Sequence, residues 1–133
     1  MMKTMLKCKI HRATVTDAQL HYEGSVTVDR TLMDAAGLVE YEQVHIWNVD
    51  NGNRFTTYVI EGPADSGVIC LNGAAARQVS KGDLVIIAAF SAYDEKELAN
   101  FHPTLVYVDG KNRITGVKRK IESESQRPRV AAV

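Results

Sequence analysis

At 133 residues, with 45% hydrophobic and 24% charged side chains, the chain has the size and composition of one folded globular domain and not of a fibrous or disordered segment. Lys+Arg and Asp+Glu balance at 16 each, which leaves no global basic field to gather nucleic acid or an anionic membrane surface. The first residues, Met1-Met2-Lys3-Thr4-Met5-Leu6-Lys7-Cys8-Lys9, carry charges where a signal peptide needs an apolar stretch, and no apolar run approaches the roughly 20 residues of a membrane helix; a cytoplasmic protein is expected.

In chain order, residues 4–15 read as a first strand, whose alternation places Lys7, Lys9 and His11 on one face. Cys8 and Cys70 lack CxxC spacing and paired histidines, so free thiols are expected and no metal site. Residues 25–28 form a second strand after Gly24, and 31–36 a short helix stopped by Gly37. Strands 43–49 and 54–60 flank Asp50-Asn51-Gly52-Asn53, where Asn-Gly supplies the positive φ angles of a tight hairpin. Alternation then groups Arg54, Thr56 and Tyr58 on one face and Phe55, Thr57 and Val59 on the other. Strand 67–71, helix 74–79, strand 83–90, helix 94–99 and strand 104–108 follow. From about Lys118 the sequence turns polar and unpatterned, which predicts a mobile tail over 118–133. Many short strands and few short helices predict a mainly β fold, a small barrel in one domain.

Candidate chemistry begins at Gly24-Ser25. A Gly-Ser pair before a strand is by itself an ordinary turn, but it can cut itself if the fold strains it, because a serine hydroxyl can attack the unhindered carbonyl of the preceding glycine. Arg54 beside Tyr58 on one strand, and Lys9 with His11 on another, would suit a small anion: the guanidinium fork matches a carboxylate, and the lysine acts as a point charge. Gly73-Ala74-Ala75, opening a predicted helix, offers backbone N–H groups to the same kind of ligand.

The run Thr4-Met5-Leu6, Lys9-Ile10-His11-Arg12-Ala13 and His21-Tyr22-Glu23-Gly24-Ser25 resembles the pyruvoyl-dependent aspartate 1-decarboxylase family. The resemblance continues through Asp34-Ala35-Ala36-Gly37, Ile46-Trp47-Asn48, Asn51-Gly52, Arg54, Thr57-Tyr58, Asn72-Gly73-Ala74-Ala75-Ala76 and Gly82-Asp83-Leu84-Val85-Ile86-Ile87. Arg77 departs from it, standing where the family more often has histidine. The resemblance implies a double-psi β-barrel, a homotetramer with sites between subunits, and decarboxylation of L-aspartate to β-alanine for pantothenate synthesis. It also implies a precursor cut between Gly24 and Ser25 into chains 1–24 and 25–133, with Ser25 converted to a covalent pyruvoyl group and neither metal nor pyridoxal phosphate required. The pyruvoyl ketone would form a Schiff base with the substrate amine and act as electron sink. By the same resemblance Thr57 serves self-processing, Tyr58 donates the proton to the former α-carbon, and Lys9, Arg54, Thr57, Asn72, Gly73, Ala74 and Ala75 bind substrate. His11, Tyr22 and Trp47 line the pocket. Thr57 and Tyr58 fall on opposite faces, so the resemblance requires either a bulge in that strand or a site built between subunits. Self-cleavage with or without a helper protein stays open.

Two other classes compete. A non-catalytic small β-barrel binding an acidic ligand or a partner protein would keep Gly24-Ser25 intact. A nucleic-acid-binding barrel would need a basic stripe with stacking aromatics, against a neutral chain that is 7% aromatic.

Overall fold

The computed structural model describes residues 1–121, and the greater part of the tail predicted from Lys118 lies outside the described residues. Among the described residues nine strands form one mixed sheet: β1 (Lys3–Thr14), β2 (Asp17–Gln19), β3 (Ser25–Asp29), β4 (Gln43–Asn48), β5 (Arg54–Gly62), β6 (Ile69–Asn72), β7 (Leu84–Tyr93), β8 (Thr104–Val108) and β9 (Ile114–Lys118). Two short α-helices, α1 (Arg30–Ala36) and α2 (Glu95–Leu98), and a 3-10 helix (Gly73–Gln78) interrupt them. The order across the sheet is β2-β6-β3-β5-β4-β7-β1-β8-β9. Three pairings, β1 with β8, β2 with β6 and β3 with β5, are parallel, and the rest are antiparallel.

That order makes the sheet curl. β1 stands seventh and β2 first, yet only Val15 and Thr16 separate them in the chain. Six strand spacings would span about 29 Å if flat, whereas three Cα–Cα steps reach at most about 11 Å. The concave side therefore closes over one apolar core, built from Ile10, Val26, Val28, Leu32, Ile46, Val59, Ile69, Leu71, Ile87 and Val106 among others.

The seven predicted strands and three predicted helices are present, with two differences in kind. Residues 74–79 were expected to be helical, and the chain forms a 3-10 helix over Gly73–Gln78. The Asn-Gly turn has one positive φ and not two: Gly52 sits at 78°, and Asn51 keeps negative φ. Its loop is instead tied by side chains, with Asn48 Oδ1 accepting from the N–H groups of Asp50 and Asn51. The amides of Asn48, Asn51 and Asn53 all donate to the Gln78 carbonyl at 3.1–3.3 Å. The hairpin tip is thereby docked on the end of the 3-10 helix, which sets the start of β5 opposite Ala74 and Ala75.

β3 is anchored at both ends. At its C-terminal end the buried Asp29 accepts from the N–H groups of Thr31, Asp65 and Gly67 at 2.8–2.9 Å, capping α1 and fixing the loop before β6. At its N-terminal end Ser25 pairs with Asn72.

Candidate active site

Ser25 is 1% exposed at the first position of β3. Its Oγ accepts a hydrogen bond from Asn72 Nδ2 at 2.9 Å and donates to the Glu23 carbonyl at 3.1 Å. Asn72 is 2% exposed and also donates to Thr27 Oγ1 at 2.9 Å. With its carboxamide engaged there, Asn72 makes no side-chain cap to the 3-10 helix that follows.

Gly73 lies directly beneath the Gly24 segment. It has φ of 66°, and a Cβ added there would meet Gly24 Cα and N at 2.7 Å and the Tyr22 carbonyl oxygen at 2.9 Å. Every one of these atoms is backbone, so none can swing aside. Gly73→Ala is expected to cost about 1–3 kcal/mol in urea denaturation and, where the chain cuts itself at Gly24-Ser25 as its resemblance implies, to leave a larger fraction of intact chain on a denaturing gel, because the Gly24 backbone must shift to make room. Unchanged stability and cleavage in that variant would show that Gly73 does not set the position of Gly24.

A cavity of about 420 Å³ opens beside this turn, lined by Gly24, Phe55, Thr56, Thr57, Tyr58, Ala74, Ala75 and Gln78. Its origin lies in the sheet. β3 first pairs with β5 at Val26 and Val59, so the part of β5 before Val59 is bonded to β4 on one side only. Along this free edge consecutive residues border the cavity whichever face they occupy. The pairing of β5 runs without a register shift, so no bulge re-aims Thr57: it keeps the face of Phe55, Tyr58 keeps the face of Arg54, and both reach the cavity from the edge. Ala74 and Ala75 form the opposite wall, on a 3-10 turn and not at the start of an α-helix as predicted.

The remaining predicted residues are elsewhere in the chain, and the convergence of Lys9, His11, Arg54 and Tyr58 on one anion does not occur within it. Arg54 is exposed, with its guanidinium 4.9 Å from the centre of the Trp47 ring, and neither residue lines the cavity. Lys9 lies three strands from β5, in the row that runs through Ala88 and His45 to Thr56. Lys7 does not join it: a register shift between Leu6 and Cys8 makes Lys7 an extra residue, and its ammonium binds Glu42 at 2.7 Å. Tyr22 is 63% exposed.

His11 begins a second irregularity of β1, between Ile10 and Ala13, where Arg12 takes φ of 59°. Its ring meets Tyr107 edge-on at 5.5 Å, and its Nδ1 is buried without a hydrogen-bond partner. Burial, then the charges of Lys9 and Arg12, hold the imidazole below its ordinary pKa, so it is neutral at pH 7. Burial lowers Lys9 as well. Among the described residues, no group of three or more His, Cys, Asp or Glu side chains is gathered as a metal ion would need.

The site residues missed in the sequence are Thr27, Cys70 and Gln78, together with Phe55 and Thr56 on the cavity wall. Thr27 and Cys70 border the Asn72 carboxamide, and Gln78 closes the cavity. Strand alternation from Ser25 and from Asn72 would have found the first two.

Comparison with known proteins adds the family. The model of the aspartate decarboxylase family matches residues 1–115. An aspartate 1-decarboxylase of Dehalococcoides mccartyi (strain ATCC BAA-2266 / KCTC 15142 / 195) is 60% identical over 121 residues, covering 91% of this chain and 98% of the relative. That of Syntrophus aciditrophicus (strain SB) is 62% identical over 114 residues, 86% of this chain and 98% of its own length. Among solved structures, the rationally designed mkDPBB_sym_86 protein overlaps 58% of the chain and 90% of its own at 19% identity and a TM-score of 0.44. With a family model spanning the chain from Met1 to beyond the start of β9, and relatives at this identity matched over nearly their whole length, the chain belongs to the aspartate decarboxylase family.

Proposed function

We propose that this chain converts L-aspartate to β-alanine and carbon dioxide with a pyruvoyl group made from its own Ser25, supplying pantothenate synthesis. The observation that carries the reading is the buried Ser25 Oγ, held by Asn72 next to Gly24 on the wall of an open cavity.

Self-processing follows from those atoms. Ser25 Oγ bonds to the Gly24 carbonyl carbon, the Gly24–Ser25 C–N bond breaks, and the hydroxyl proton ends on the freed nitrogen. Loss of the Ser25 α-proton with cleavage of the Cβ–Oγ bond releases residues 1–24 as a Gly24 carboxylate. Water then hydrolyses the remaining dehydroalanine to the pyruvoyl group, and ammonia leaves. Thr57, on the edge that lines the same cavity as Gly24, is the donor for the oxyanion of the first step.

The residues present fit the making of that group: the Asn72 amide N–H holds the serine oxygen that attacks, and Gly73 leaves the turn room. When formed, the ketone supplies the electron sink for decarboxylation in place of pyridoxal phosphate, and no metal enters this reading. Tyr58 borders the cavity and holds the proton for the former α-carbon. Asn72 and the backbone of Gly73, Ala74 and Ala75 take one end of the substrate.

Lys9 and Arg54 then act as carboxylate partners supplied across an interface, with His11, Tyr22 and Trp47 as lining, in a homotetramer. What supports this is their division within one chain: Tyr58 borders the cavity while sharing a face with Arg54, which packs on Trp47, so a second copy laid on that face brings its cations to the first copy's Gly24. Closure of the curled sheet as a double-psi barrel, a single domain over 1–133 and a cytoplasmic location complete the reading. No helix among the described residues is long and apolar enough to cross a membrane.

The test is an intact mass spectrum of the denatured wild-type protein with a β-alanine assay. Two species are expected, residues 1–24 and 25–133, the larger lighter by one ammonia than a serine-terminated chain. A single unmodified mass that persists on warming, with no β-alanine formed, would favour a non-catalytic β-barrel.

A further inference from the structure

The Asn72 carboxamide is held on three sides by side chains of two adjacent strands. Ser25 pairs with Asn72 and Thr27 with Cys70, so alternation brings all four to one face. Asn72 Nδ2 donates to Ser25 Oγ and Thr27 Oγ1, and Cys70 Sγ lies 3.3 Å from Asn72 Oδ1.

A carboxamide has nearly the same shape when its oxygen and nitrogen exchange places, so its neighbours decide which way it faces. Of the two hydroxyls, Ser25 has its proton engaged with the Glu23 carbonyl and so favours Nδ2 on its side, while Thr27 can donate or accept. The thiol acts in the same sense from the other end of the carboxamide: S–H is a usable donor and sulfur a poor acceptor, so Cys70 favours Oδ1 on its own side and turns Nδ2 toward Ser25 and Thr27. Burial, then the charge of Asp17, raises the Cys70 pKa, so the proton stays on sulfur at neutral pH. Cys70 is buried in a four-residue strand, where its thiol faces Asn72 Oδ1.

We propose that Cys70 is a positioning residue for self-processing: its S–H fixes the Asn72 carboxamide in the orientation that holds Ser25 Oγ beside the Gly24 carbonyl. This rests on the reading of Ser25 as the residue converted. With the carboxamide reversed, Oδ1 would face Ser25 and draw its hydroxyl proton into a hydrogen bond, while the N–H that steadies Oγ would point at a side chain that accepts it poorly.

Wild type, Cys70→Ser, Cys70→Ala and Cys70→Val should be purified identically and the appearance of residues 25–133 followed by intact mass during warming, with a thermal melt of each. Cys70→Ser keeps a donor and should cleave within about twofold of wild type, whereas Cys70→Ala should be slower by about 5- to 10-fold, the worth of one hydrogen bond. Cys70→Val fills the site without a donor and should be slow even where its melting point is preserved. A role in packing alone predicts the reverse order, since a hydroxyl fills this site less well than an apolar side chain. Cleavage of Cys70→Ala or Cys70→Val at the wild-type rate, or of Cys70→Ser no faster than Cys70→Ala, would overturn the proposal. A wild type that stays whole would instead overturn the reading of Ser25, and the proposal with it.

Discussion

A Ser25→Ala chain is expected to be recovered as one uncleaved polypeptide with no measurable β-alanine formation. Alanine has no Oγ to receive the Gly24 acyl group, so neither the cut nor the ketone can arise. The fold should survive the change. Ser25 is buried in a strand where alanine fits, and Asn72 Nδ2 loses one acceptor but keeps Thr27 Oγ1 at 2.9 Å, a cost of about 1–2 kcal/mol. A melt by circular dichroism, a denaturing gel and the β-alanine assay on one preparation separate these effects. Normal cleavage or activity in the variant would sink the mechanism, whereas a folded, uncut and inert protein is what it requires. A non-catalytic barrel would show no difference in ligand binding between Ser25→Ala and wild type.

How far the sequence discloses this arrangement depends on whether the determining forces are local. β3, β4, β5 and β7 were legible because each alternates or runs apolar against one core, and α1 because Gly37 ends it at φ of 78°. β9 was not: its exposure pattern leaves no buried position, so Ile114–Lys118 lacks an inward face and is a strand only because β8 offers it an edge. β2 is three residues long and takes its form from β6. The irregularities of β1 at Lys7 and at His11-Arg12 are also set by the partner strand, and no residue type there announces them. For the site, alternation correctly put Thr57 and Tyr58 on opposite faces, and the bulge expected to reconcile them is absent because both residues reach the cavity from the free edge of β5. The late start of β3 leaves that edge free, a fact of strand register that no single strand's sequence contains.

The same free edge makes Tyr58→Phe the sharper test of the decarboxylation step. Tyr58 is half-buried, its ring centre lies 6.3 Å from that of Tyr41, and phenylalanine keeps this packing while removing only the hydroxyl. Self-processing should be complete, since Ser25, Asn72 and Thr57 are untouched. If the phenol delivers the proton to the former α-carbon, kcat should fall by about 10²- to 10⁴-fold with KM little changed, because a group used only in the transition state affects turnover more than binding. If Tyr58 only packs, the variant should differ from wild type in neither stability nor kcat by more than a few-fold, and the proton must come from another group on the cavity wall. Loss of cleavage together with activity would instead assign the hydroxyl to the Gly24–Ser25 step, where it would share the role given above to Thr57. Steady-state kinetics on fully processed protein, with the processed fraction measured by intact mass, distinguishes the three results, because it divides turnover by the number of sites that carry the ketone.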